Sequence, residues 1–191
     1  LLSIGFILIL YFSTNGINSL IEAFNASYHI RETRPIIQQR LLSFGLTLIL
    51  SCILIIAMGL IIFGKITINY LTEYSLITQY AGKLILYGKW FTILLILFFG
   101  ISILFHLGPS KRSKWDLLNP GTILATIGII ITSIGFNYYI NHFSEYNKIY
   151  GSIGTLIIIL LWIYFNSIIL LTGFELNASI TNAKEKEEKL E

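Results

Sequence analysis

Apolar residues run through this 191-residue chain in long blocks separated by short polar stretches. In lipid every backbone N–H and C=O must be satisfied inside its own segment, so a long apolar block is read as a helix. A membrane span needs roughly 20 such residues. Four blocks qualify: 41–63, which carries no charge, 84–107, with Lys89 near its start, 121–140 and 151–176. The opening block, 1–12, is too short by itself and reads as a span cut at its start. Residues 15–30 follow a different pattern. Ile17, Leu20, Ile21, Phe24 and Tyr28 recur at helical spacing, with Asn18, Glu22, Asn25 and His29 on the other side. That pattern predicts an amphipathic helix lying at the cytoplasmic interface. Pro35 disfavours helical geometry at Arg34, so this helix should end by there. The C-terminal tail, 181–191, ends on the charge-rich run AKEKEEKLE and predicts a solvated segment, helical or not.

The expected fold class is therefore all-α, a polytopic transmembrane helical bundle. A single transmembrane domain covers 1–180, and the charged cytoplasmic tail follows. Composition agrees with this reading: 55% of residues are hydrophobic and only 12% charged, and the mean hydropathy is +0.77. A soluble domain carries about twice that share of charge. Cys52 is the one cysteine, so no internal disulfide forms. The chain opens on Leu1, with no basic leader and no small-residue cleavage site before the polar segment, which argues against a signal peptide.

Charge then sets the expected orientation. Arg31, Arg34 and Arg40 follow the first span, Lys111, Arg112 and Lys114 the third, and Lys184, Lys186 and Lys189 lie in the tail. The alternate loops hold only Lys65, Lys83 and Lys148. The excess places the first group, and with it the C-terminus, in the cytoplasm. A chain that enters its first loop from outside needs a further span upstream if its N-terminus is also inside. Six spans, five of them present, is the expected whole.

Polar residues inside apolar blocks are the candidates for function. Glu175 stands near the cytoplasmic end of the last span, where a carboxylate is costly and so functional by default. The plainer reading is an interfacial anchor paired with Arg34 or Lys114. Asn166 follows Trp162 by one helical turn, and hydrogen bonding between helices explains it better than ligand contact does. Gly121, Ala125, Gly128, Thr132 and Gly135 line one face of the fourth span, which suits close helix packing. Lys89, beside Tyr87 and Trp90, reads as a side chain reaching for the interface. The stretch around Pro109 lacks the second glycine and the Gly-Lys-Ser/Thr ending of a phosphate loop. It reads as an anchor touching anionic headgroups. His29, His106, His142 and Asp116 show no metal-ligand spacing, so a metal-dependent nuclease, a cofactor and a nucleic-acid partner are not expected.

The stretches EAFNASYHIRETRP, LGPSKRSKWDLLNPG and YGSIGTLIIILLWIYFNSIILLTGFELNA together resemble the YihY/BrkB family of bacterial inner-membrane proteins. The likeness rests on Asn25, Arg34, Pro109, the Pro120-Gly121 and Tyr150-Gly151 span openings, Trp162, Gly173, Glu175 and Asn177, in that order, and covers nearly the whole chain. The resemblance implies six spans and a bacterial inner membrane. It also brings an old ribonuclease label, which the absent metal ligands argue against.

The expected function is transport or export of an amphiphilic, lipid-like or anionic compound, with Arg31, Arg34 and the 111–114 cluster attracting negative groups. No ATP-binding loop is present, so a gradient or a partner would supply the energy. The rival is a non-transporting envelope scaffold or lipid-organising protein. Convergence of Glu175, Asn166 and the loop arginines on a water-filled cavity would favour the first. Lipid-facing or dry-packed positions would favour the second. Membrane lipids are the expected partners, and oligomerisation is left open.

Overall fold

The computed structural model describes residues 2–28, 30, 32–73, 78–111, 119–142 and 152–188. The elements are α1 (Leu2–Ser27), α2 (Ile36–Glu73), α3 (Gln79–Leu107), α4 (Pro120–His142) and α5 (Ser152–Glu187). Each contains a stretch long and apolar enough to cross a membrane: Ser3–Ser27, Ile36–Gly64, Tyr80–Leu107, Pro120–Asn141 and Gly154–Glu187. The outward faces carry exposed apolar side chains such as Ile9, Phe12, Ile37, Ile55 and Tyr87. Water would be a poor solvent for so much apolar surface, and a bilayer is a good one.

The helix starts follow from local chemistry. Pro35 immediately precedes α2. Thr78 caps α3, its hydroxyl oxygen accepting the Ala81 N–H at 3.3 Å. Pro120 opens α4, where a residue without an N–H costs nothing.

Two boundaries differ from expectation. The short opening span and the separate interfacial helix are one continuous helix, α1. The polar residues that suggest a break there do not break it. Thr14 turns its hydroxyl back onto the Leu10 carbonyl at 2.8 Å, and such a bond lets a polar side chain sit inside a helix. Nor does the polar face of 15–30 point only to solvent. Asn15 accepts from Arg40, Asn18 accepts from the Ser43 hydroxyl at 3.3 Å, and Glu22 accepts from Gln39 at 3.4 Å, all three donors lying in the first turns of α2. The second difference lies in α5, which runs unbroken past the expected span end at 176 into the charged tail as far as Glu187.

The chain divides into two compact units, Leu1–Glu22 with Glu32–Ser110, and Ala23–Arg31 with Lys111–Glu191. In the first, α2 packs on α3. Ile53 fits against Gly100, and the aliphatic stem of Lys89 crosses Gly64. The Lys89 ammonium lies 5.4 Å from the Trp90 ring centroid, as expected of a side chain running along apolar surface towards an aromatic belt. In the second unit α4 packs on α5.

Candidate functional site

Asn177 and Gly121 meet at the start of α4. The first four N–H groups of a helix have no partner within it. Here Pro120 has none to offer, and the Asn119 carbonyl takes those of Thr122 and Ile123 at 3.0 and 3.2 Å. The remaining one, on Gly121, donates to the side-chain oxygen of Asn177 at 2.6 Å. An asparagine of α5 thus caps α4. Glycine makes the approach possible. A Cβ on Gly121 would run into the Gly173 carbonyl oxygen and the Asn177 amide, and one on Gly173 would stand 2.6 Å from the Gly121 carbonyl oxygen and 2.8 Å from the Ala125 Cβ. Gly128 faces Ile169 the same way, at 2.6 Å. The small-residue face of α4 is therefore a packing face at Gly121, Ala125 and Gly128. It stops short of Gly135, which has nothing within 4 Å. There Phe136 takes over, its ring 5.8 Å from that of Phe165.

Among the described residues, two amides on α5 keep an unmet bonding group. The Nδ2 of Asn177, a residue 4% exposed, meets no partner there. Asn166 donates its Nδ2 to the Trp162 carbonyl at 2.7 Å, and its Oδ1 is buried without a partner. Eleven residues apart, they lie within roughly 20° of one another around the helix and about 16 Å apart along it. Trp162, exposed, lines a groove of about 270 Å³ with Ser133, Phe136 and Asn137 of α4.

Glu175 is exposed and makes no ion pair or hydrogen bond with a described residue. Nine residues from Asn166, it lies on roughly the opposite side of α5. These two do not converge.

Near the other end of the same helix face an aromatic cluster forms. Phe24 stacks on Phe174 at 4.2 Å, and Tyr28 meets Phe174 edge-on at 5.4 Å. Asn25, 3% exposed, accepts the Ile30 N–H on its backbone carbonyl at 3.1 Å, just past the end of α1. The Lys111 ammonium sits 5.2 Å from the Tyr28 ring centroid and pairs with Glu185 at 2.7 Å. Nothing in the sequence pattern joins Lys111 to a tail glutamate 74 positions away. Only the packing of Tyr28 on α5 does.

Arg34 belongs to the first unit. Its guanidinium donates to the carbonyl oxygens of Gly108, at 2.9 Å, and Pro109. Glu32 accepts the Arg34 backbone N–H at 3.0 Å and the Ser110 hydroxyl. The planar fork of the guanidinium suits two adjacent carbonyls. With the fork so engaged, Arg34 clamps Gly108 and the buried Pro109 rather than standing free for an anion. Pro120 is exposed at the head of α4. Arg31, Tyr150 and Gly151 lie outside the described residues, as does Lys114. Among the described residues no three His, Cys, Asp or Glu side chains lie close enough to share a metal ion.

Comparison with known proteins gives one consistent result. A ribonuclease-like protein of Bacillus subtilis, YfkH, is 31% identical over 185 residues, 97% of this chain and 67% of that protein. A UPF0761 membrane protein of Pseudoalteromonas translucida is 38% identical over 82 residues, 43% of this chain and 27% of its own. Another, from Stenotrophomonas maltophilia, is 28% identical over 183 residues, 92% and 40%. The chain thus spans about two thirds of the Bacillus relative and less than half of the other two. No solved structure matches it. The family model described as virulence factor BrkB matches residues 1–191. With five apolar helices long enough to span a bilayer, the chain belongs to the virulence factor BrkB family of membrane proteins.

Proposed function

We propose that the chain forms part of a bacterial inner-membrane transporter or exporter of an amphiphilic, lipid-like or anionic compound, with its C-terminus and the 111–114 loop in the cytoplasm. The observation that carries this reading is the unmet Oδ1 of Asn166. If Gly154 marks one edge of the hydrocarbon, Asn166 lies about 18 Å along α5, near the middle of a core about 30 Å thick. A buried amide without its bond costs about 1–3 kcal/mol, and a polar atom left unmet at that depth is a candidate for a pathway lining. Asn177 repeats the feature on the same face, and Ser133, Asn137 and Trp162 line a groove between the same two helices.

The scaffold reading has two observations of its own. Glu175 points away from this face, so the only carboxylate of the α5 apolar run does not join a polar path, and the Arg34 guanidinium is engaged by the Gly108 and Pro109 carbonyls instead of standing free for an anion. The ribonuclease-like name of the Bacillus relative gains no support from the side chains described here.

Asn166→Leu separates the readings. Removing the amide relieves an unmet polar atom, so the variant should reach the membrane at normal abundance. On a pathway it fails to complement a strain lacking the protein, scored by growth on bile salts and membrane-active antibiotics. Full complementation at normal abundance would favour the scaffold.

A further inference from the structure

Two side chains of the second unit, Tyr28 and Glu185, meet at Lys111. Its ammonium lies 5.2 Å from the centroid of the Tyr28 ring and 2.7 and 2.8 Å from the two carboxylate oxygens of Glu185. The ring is fixed: Tyr28 is 8% exposed and rests edge-on against Phe174. The carboxylate is not. Glu185 lies in the last turns of α5, its side chain 42% exposed, between the exposed residues Lys184 and Lys186. Lys111 is therefore held on a built-in aromatic platform, and the partner that neutralises it hangs from a helix end.

We propose that the Lys111–Glu185 pair is an intramolecular latch that an anionic lipid surface opens, its negative potential drawing Lys111 off the Glu185 carboxylate. Position supports it. Asn177 is level with the first turn of α4, and Glu185 lies eight residues further, about 12 Å along the axis. The headgroup layer on each side of the hydrocarbon takes up roughly 5–7 Å of that. The remainder is within the Debye length of about 8 Å, so a surface potential reaches the pair. Magnitude supports it as well. An ion pair this open shifts an equilibrium by no more than roughly fivefold. A lysine beside an anionic leaflet gains about as much, while the same leaflet repels Glu185, whose neighbours Lys184, Lys186 and Lys189 balance Glu187, Glu188 and Glu191. Two effects of equal size and opposite sense leave lipid composition to decide. The placement rests on α4 and α5 spanning the bilayer. It needs neither transport nor a particular orientation, so the latch can fail while the proposed transport stands, and the reverse.

Hydrogen exchange over residues 180–188 tests it, with the chain in nanodiscs of phosphatidylcholine alone or mixed with phosphatidylglycerol. The wild-type segment should exchange roughly three- to fivefold faster in the anionic discs. Glu185→Gln should exchange at the faster rate in both and ignore the lipid, whereas Glu188→Gln should keep the lipid response. Equal wild-type exchange in the two lipids, or a Glu185→Gln variant that still responds to phosphatidylglycerol, overturns the latch. Inorganic phosphate added to phosphatidylcholine discs should act no more strongly than chloride at matched ionic strength. A stronger effect would overturn the assignment to a lipid surface.

Discussion

Gly173 and Gly121 show how a single missing Cβ shapes this protein. Their backbones touch at a point where any side chain would have to displace a carbonyl or the Ala125 methyl. Gly173→Ala should therefore lower the yield of folded protein, with overpacking worth about 1–3 kcal/mol. Gly135→Ala, which meets nothing within 4 Å, should leave it unchanged. Detergent-stability curves of the two variants side by side check this, and equal midpoints would refute it. The small-residue spacing was legible in the sequence. Where it stops was not, because that depends on Phe136 meeting Phe165 across the seam. The cap made by Asn177 was equally hidden, since a motif names the residue but not the N–H 56 positions away that it accepts. Glu175 illustrates the opposite error of emphasis. It lies about 32 Å beyond Gly154 along α5, at the edge of a core about 30 Å thick, where a charge costs much less than at mid-depth. Glu175→Gln should keep both membrane abundance and complementation in the assay that Asn166→Leu fails. Loss of activity at normal abundance would return Glu175 to the centre of the site.

At the scale of elements, long apolar runs announced α2 to α5, because a lipid-solvated helix needs little beyond apolar length. The Pro120-Gly121 pair marked the start of α4 to within a residue, whereas α2 begins at Ile36, five residues before the expected 41. The misreading came at α1. Ser13, Thr14, Asn15 and Gly16 look like a break between a short span and a surface helix. A break needs the backbone to lose its bonds, and here Thr14 bonds back to Leu10 while Asn15 finds Arg40 in α2. Tertiary partners thus turn a polar stretch into the continuation of a span. The charged tail continues α5 as a helix. A run of alternating charges has no apolar face to show that it will stay helical, yet Glu185 gains a partner in Lys111 and α5 runs on to Glu187.

For the whole molecule, the family match and the five apolar helices make the chain a membrane protein, and loop charge predicts which side each loop faces. In a Cys52→Ala background, Ser113→Cys should stay unlabelled by an impermeant thiol reagent added to intact cells and react once the membrane is opened. Labelling from outside would invert the orientation.

The functional account stands or falls on water along the α4-facing side of α5, and thiol reactivity reads that most directly. A cysteine in lipid stays protonated and inert, whereas one beside water forms the reactive thiolate. Asn166→Cys and Ile168→Cys, each in the Cys52→Ala chain in its native membrane, place one thiol on the face of the unmet amides and one about 160° around the helix, where Ile168 is 41% exposed. A small charged methanethiosulfonate should modify position 166 and leave position 168 untouched. If position 166 proves as inert as position 168, the α4–α5 seam is dry and the transport reading is contradicted.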